Sequence, residues 1–142
     1  MRNILILGFG ARENAIKEHL KPNIVHRLDT EDFSSIKQFC VDYNIDLVIP
    51  STEAYLCNGV VDYLQTELPT VEVFGPTKTQ AKIEGSKFFS KSLMKELCIP
   101  TAEFLFYKNK EKILKYFENF FLYLSLNQIV IKYSGLAKGK GV

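Results

Sequence analysis

The chain has 142 residues, 46% hydrophobic and 24% charged, which is enough apolar material for a buried core and excludes a disordered composition. Its net charge of +2 arises from lysines and arginines interleaved with acids, too mild a surplus to indicate a nucleic-acid or anionic-membrane surface. Cys40, Cys57 and Cys98 stand far apart, with neither a disulfide framework nor metal-ligand spacing, and fit a reducing compartment. "NILILGFG" is an apolar run stopped by glycine, as a buried parallel strand is, and too short for a signal segment or a membrane span. These features predict a soluble, cytoplasmic protein. "ARENAIKEHLK" then predicts a helix ended by Pro22, and "NIVHRLD" a second strand. "DTEDFSSIKQFCVDYN" carries Phe33, Ile36, Phe39 and Cys40 at helical spacing. "IDLVIP" reads as a third strand, "TEAYLCNGVVDYLQTEL" as one amphipathic helix, and "VEVFGP" as a fourth strand.

Strands alternating with helices predict an α/β fold, a doubly wound parallel sheet over residues 1–76. The pattern changes after that point. "TKTQAKIEGSKFFSKSLMKELCIP" predicts a helical linker over residues 77–100, with a break possible near Gly85. Residues 101–142 read as the opening of a second domain: "AEFLFY" as a strand, "NKEKILKYFENFFLYLS" as a helix, and "QIVIKYSG" as a strand entering a glycine loop.

Four stretches carry chemistry. "GFGARE" places Gly8 and Gly10 at a strand-to-helix junction, where backbone can approach a phosphate and a helix N-terminus offers free N–H groups. Arg12 adds a possible anion contact, whereas Glu13 stands where the dinucleotide pattern has its third glycine and would crowd a pyrophosphate. A purely structural turn is the alternative. "PSTEAYL" puts Glu53 beyond the third strand at the same sheet end, suited to a ribose hydroxyl or an amine. An ordinary helix start at Ser51 or Thr52 explains it equally. "EGSKFFSK" sets Lys87 and Lys91 four apart on a helix, and "IVIK" ends an apolar strand on Lys132. "GLAKGKGV" lacks the Ser or Thr of a P-loop, and suits a glycine loop laid over a triphosphate, with Lys138 and Lys140 supplying charge. A frayed basic tail is its plainer reading.

The segments "ILILGFGAREN", "IDLVIPSTEAYLCNGVVDYL", "VFGPTKTQAKIEGSKFFSKSLMKELCIPTAEF" and "IVIKYSGLAKGKGV", in this order, resemble the N-terminal portion of the phosphoribosylamine–glycine ligases, purine-biosynthesis enzymes of the ATP-grasp superfamily. The third and fourth are the most specific. The resemblance implies a Rossmann-like pre-ATP-grasp domain, a linker helix and the start of an ATP-grasp domain. It implies ATP and Mg²⁺ as cofactors, with phosphoribosylamine and glycine as substrates joined through a glycyl phosphate. Lys87, Lys132, Gly135, Lys138, Gly139, Lys140 and Gly141 would then serve ATP. Gly8, Gly10, Arg12, Glu13 and Glu53 would lie near phosphoribosylamine. The family's GxGGREHA reads here with Ala11 for a glycine and Asn14 for a histidine, and the stretch from Leu20 to Asp29 is shorter than the family's. The family's Mg²⁺ carboxylates correspond to nothing in this chain, so the resemblance also implies that the chain alone is inactive and that the C-terminal part of a ligase is its partner. Two other readings stand beside it. One is a non-catalytic α/β module that binds a sugar phosphate or complements a separate ATP-grasp chain. The other is a fragment of a nucleotide-dependent oxidoreductase, which Glu13 disfavours.

Overall fold

The computed structural model describes residues 1–109, 111–116 and 130–137. The run NILIL forms strand β1 (Asn3–Leu7), buried from Ile4 to Leu7 as a strand covered on both faces must be. β1 pairs in parallel with β2 (Ile24–Leu28) on one side and with β3 (Leu47–Pro50) on the other, and β4 (Glu72–Val73) pairs in parallel with β3. The strand order is therefore β2-β1-β3-β4. The chain steps from β1 to β2, then passes back across β1 to β3. Its direction of winding reverses between the carboxyl ends of β1 and β3, which is a topological switch point. The doubly wound parallel sheet expected from the sequence is present, with all four of its expected strands.

Five helices complete the first unit, Met1–Gly85: α1 (Ala11–His19), α2 (Phe33–Asp42), α3 (Glu53–Asn58), α4 (Val60–Glu67) and α5 (Lys78–Gly85). Side chains alternate across a strand. Leu5 and Leu7 accordingly join the main core with Val48 of β3, Ile36 and Cys40 of α2, and Leu64 of α4. Ile36 and Cys40 lie four apart, one above the other on the buried face of α2. Asp32 starts that helix by accepting from the backbone N–H groups of Ser34 and Ser35 at 3.3 and 3.0 Å.

Two helical stretches divide, the first where the sequence suggested continuity and the second at the break near Gly85 that the sequence allowed. The segment 52–68 parts at Gly59, whose φ of +96° lies in the left-handed region. Its N–H closes α3 onto the carbonyls of Tyr55 and Leu56, and α4 starts directly after it. The stretch 77–100 is likewise two helices. α5 packs against α3 inside the first unit. α6 (Lys87–Glu96) begins the second unit, Ser86–Val142, after Ser86 caps it by accepting from the Phe89 N–H at 3.2 Å.

The second unit departs further from expectation. Residues 102–107, expected as a strand, have no regular secondary structure. A strand needs a neighbour for its backbone groups, and no described residues pair with these. The segment is instead fastened by side chains to α6. Phe88 stacks on Phe106 with ring centres 4.0 Å apart and meets Phe104 edge-on at 6.5 Å. Lys91 Nζ donates to Thr101 Oγ1 at 2.5 Å and to the Ala102 carbonyl at 3.1 Å. Residues 111–116 are helical as expected, and the rest of that predicted helix lies outside the described residues. Residues 130–133, read as part of a strand, form none for the same want of a described partner.

Candidate functional site

The switch point gathers five of the residues singled out from the sequence. Gly8 follows β1 with φ of +121°, and its N–H donates to the Leu28 carbonyl of β2 at 2.7 Å. A Cβ at Gly8 would stand 3.0 Å from Ser51 Oγ and 3.2 Å from Glu13 Cδ. Gly10, the residue before α1, has ordinary extended backbone (φ −76°, ψ −173°), yet a Cβ there would stand 2.6 Å from Glu13 Oε2. Gly8 is thus required by its left-handed backbone and by Ser51 and Glu13, and Gly10 by the Glu13 side chain.

Glu13 is 4% exposed, a buried carboxylate at the third position of α1. From there it reaches back over the first turn, as the acid of a capping box does. Its carboxyl is held below the usual carboxylate range, chiefly by the hydroxyl of Ser51, with its own N–H, that of Gly10 and the charge of Arg12 adding to the effect against the opposing influence of burial. The Ser51 hydroxyl also donates to the Leu7 carbonyl. Glu13 therefore faces the interior and acts as an internal anion. Ser51 is the residue that sequence reasoning missed: it was weighed only as a helix cap, whereas its hydroxyl joins the ends of β1 and β3 to α1.

Arg12 points the other way. Its Nη1 donates to the Ser51 carbonyl and lies 3.9 Å from Glu53 Oε1, with 60% and 46% of the two side chains exposed. An exposed pair at that separation adds little stability. Its consequence is placement: a guanidinium and a carboxylate are presented together beyond the carboxyl ends of β1 and β3, where ligands of open α/β sheets bind. Thr52 stands at the start of α3 without a side-chain hydrogen bond, and Glu53 lies in the first turn, as the plainer reading of an ordinary helix start also has it.

Two further contacts border this crevice. Arg27 of β2 donates to Asn14 Oδ1 of α1 and lies 4.8 Å from the centre of the exposed Phe9 ring. Asp29, just past β2, accepts from the buried Tyr55 hydroxyl at 2.9 Å. The Tyr55 phenol is pushed up to about 12, by burial first and by the Asp29 carboxylate second. Asp29 is thereby engaged in a structural bond.

In the second unit, Lys87 and Gly135 come together: Lys87 Nζ donates to the Gly135 carbonyl at 3.2 Å. The Lys87 N–H donates to the Ser134 carbonyl at 2.8 Å and the Phe88 N–H to Ser134 Oγ at 3.1 Å. Ser134 thus satisfies two N–H groups of the first turn of α6 that the helix itself leaves free. Lys132 is exposed nearby in sequence, without a role in that contact. Lys138, Gly139, Lys140 and Gly141 lie outside the described residues. Among the described residues no three His, Cys, Asp or Glu side chains gather as metal ligands, and no helix is long and apolar enough to cross a membrane.

Residues 22–84 match the family model for the N domain of phosphoribosylglycinamide synthetase, and residues 85–142 the model for its ATP-grasp (A) domain. The two matches meet within a residue of the boundary between the structural units. Among curated proteins, the phosphoribosylamine–glycine ligase of Lactococcus lactis subsp. lactis is 35% identical over 160 residues, covering 98% of this chain and 37% of that protein. The phosphoribosylamine–glycine ligase of Clostridium acetobutylicum is 33% identical, over 98% of this chain and 36% of that protein. The bifunctional purine biosynthetic protein PUR2,5 of Pichia angusta is 34% identical, over 99% of this chain and 20% of that protein. The chain spans from about a fifth to little more than a third of these relatives' lengths. These alignments run over 158 to 163 residues, more than the chain's 142, so the relatives carry residues that it lacks.

Proposed function

Since the chain belongs to the phosphoribosylglycinamide synthetase family, whose N domain and the start of whose ATP-grasp domain it carries, we propose that it serves as the N-terminal part of a phosphoribosylamine–glycine ligase. The reaction joins glycine to 5-phosphoribosylamine at the expense of ATP, giving glycinamide ribonucleotide, ADP and phosphate in purine biosynthesis. The observation that carries the reading is the switch-point crevice: Arg12 and Glu53 stand together on neighbouring helix starts at the sheet edge where this fold binds ligands.

Arg12 offers a charge-assisted donor to the phosphate of the ribosylamine. Glu53, a carboxylate and so an acceptor only, receives hydrogen bonds from a ribose hydroxyl or from the amine. Gly8 and Gly10 shape the turn that brings Arg12 to the rim. In the second unit Lys87 holds the Gly135 carbonyl, and with it the start of the glycine loop, against the first turn of α6. The Lys87 ammonium beside the start of a glycine loop suits the triphosphate of ATP, with Lys132 and the loop through Gly141 as its further contacts. When bound, ATP supplies the phosphoryl group that activates the glycine carboxylate. Electrostatic stabilisation of that group by Lys87 is the contribution of this chain's own residues.

Calorimetric titration of the chain with ribose 5-phosphate and, separately, with ATP tests the assignment. Loss of a charge-assisted bond worth about 1.5–3 kcal/mol weakens binding by roughly 10- to 100-fold. Arg12→Ala is expected to show that loss for ribose 5-phosphate and none for ATP, and Lys87→Ala the reverse. Equal ribose 5-phosphate affinity in a folded Arg12→Ala variant would remove the crevice from the ligand site.

A further inference from the structure

The glycine turn of the first unit has the form of an anion cradle, and an anion of the protein already lies in it. Glu13 follows Gly10 by three residues, where the dinucleotide pattern has its third glycine, and Gly10 is the pattern's second glycine, the one whose missing side chain lets a pyrophosphate approach. Its carboxylate is nine-tenths buried and lies within 2.6 Å of where a Cβ at Gly10 would be. The Ser51 hydroxyl and the Gly10 N–H favour its charged form. A diphosphate laid on this turn needs the same volume. It would also bring like charge into contact with a buried carboxylate.

We propose that Glu13 is a specificity-determining residue of the switch-point crevice: it fills the diphosphate slot of the glycine turn from within, so that the crevice rejects diphosphates and dinucleotides and takes ligands with a single terminal phosphate. Anion recognition is left to Arg12, whose guanidinium is exposed at the rim. The admitted ligand rests on the reading of the crevice as a ribose-phosphate site, while the exclusion rests on the geometry of Glu13 alone.

The test follows backbone amide resonances of Gly8, Phe9, Gly10 and Ala11 in the 142-residue chain while inorganic pyrophosphate is added, and then ribose 5-phosphate in a separate titration. These amides are expected to stay unmoved by pyrophosphate in the wild type. They are expected to shift in Glu13→Ala and in Glu13→Gly, with binding at least about tenfold tighter than in the wild type, since a contact repulsion has been removed. A wild type whose turn amides respond to pyrophosphate overturns the proposal, and so does a folded Glu13→Ala variant that stays silent. If neither variant folds, the wild-type titration decides: silence supports the filled slot and movement refutes it. Failure of ribose 5-phosphate to bind, with the pyrophosphate results as expected, counts against the ligase reading and leaves the filled slot standing.

Discussion

Gly85→Ala should destabilise the first unit, although alanine is the better helix former. A Cβ at Gly85 would stand 2.6 Å from Cys57 Sγ and 3.6 Å from Cys57 Cβ, where α5 lies against α3. Favourable contact of heavy atoms begins near 3.5–4.0 Å, so the sulfur must move by about 1 Å. Moving it also breaks the thiol's contact with the Ala81 carbonyl at 3.5 Å. Overpacking of this kind costs about 1–3 kcal/mol. The gain from replacing glycine within a helix is at most about 1 kcal/mol, and less here because Gly85 is the last residue of α5. The net loss is about 1–2 kcal/mol, or roughly 5–10 °C in Tm for a unit of this size. Cys57→Ala alone should cost about 1 kcal/mol through lost contacts. In the double variant the clash is gone, so its loss should fall short of the sum by about 1 kcal/mol or more. Urea denaturation of the four proteins, followed by circular dichroism, measures the cycle. A Gly85→Ala protein as stable as the wild type, or strictly additive variants, would refute the close-approach argument.

Gly8→Ala should also lose about 1–3 kcal/mol, because its φ of +121° is strained for an L side chain and the new methyl meets Ser51 and Glu13 at 3.0–3.2 Å; an unchanged urea midpoint would contradict this. The Asp32 carboxyl is held down at about 2, by the hydroxyls of Ser35 and then Ser34. A folded-state value below the unfolded one, about 3.9, means that the cap stabilises fully above pH ~4 and loses its contribution as pH falls from ~4 to ~2. Asp32→Asn should therefore flatten the loss of stability across that window, and acid titrations of equal slope would show that the cap does not titrate as described.

The sheet was legible because parallel strands buried on both faces must be written as short apolar runs, and Gly8, Pro50 and Gly75 end three of them. The helix divisions were less so. Leu56, Val60, Val61 and Leu64 keep a helical rhythm straight through Gly59, and only the left-handed backbone of that residue separates α3 from α4. The second unit shows the opposite failure. "AEFLFY" has the aromatic content of a strand, but strand propensity measures fit to a pleated, half-buried surface. Among the described residues no such surface adjoins it, and Phe104 and Phe106 turn their rings to Phe88 instead.

For the crevice, sequence order was sufficient to place Arg12 and Glu53 at one edge, since parallel strands deliver every following loop to the same side. It was not sufficient to say which acid faces the ligand. Both glutamates occupy the first turn of a helix after a strand, and charged side chains are rarely buried, so Glu13 read as a second ligand contact. The usual sign of an inward-turned acid is a Ser or Thr three residues earlier, and here that position is Gly10. The glycine is present because Glu13 Oε2 leaves no room for a Cβ. Two glycines at a strand-to-helix turn therefore report close packing, without saying what is packed there. The residue in the third glycine's place decides between a bound phosphate and the protein's own carboxylate, and in this chain that residue is Glu13.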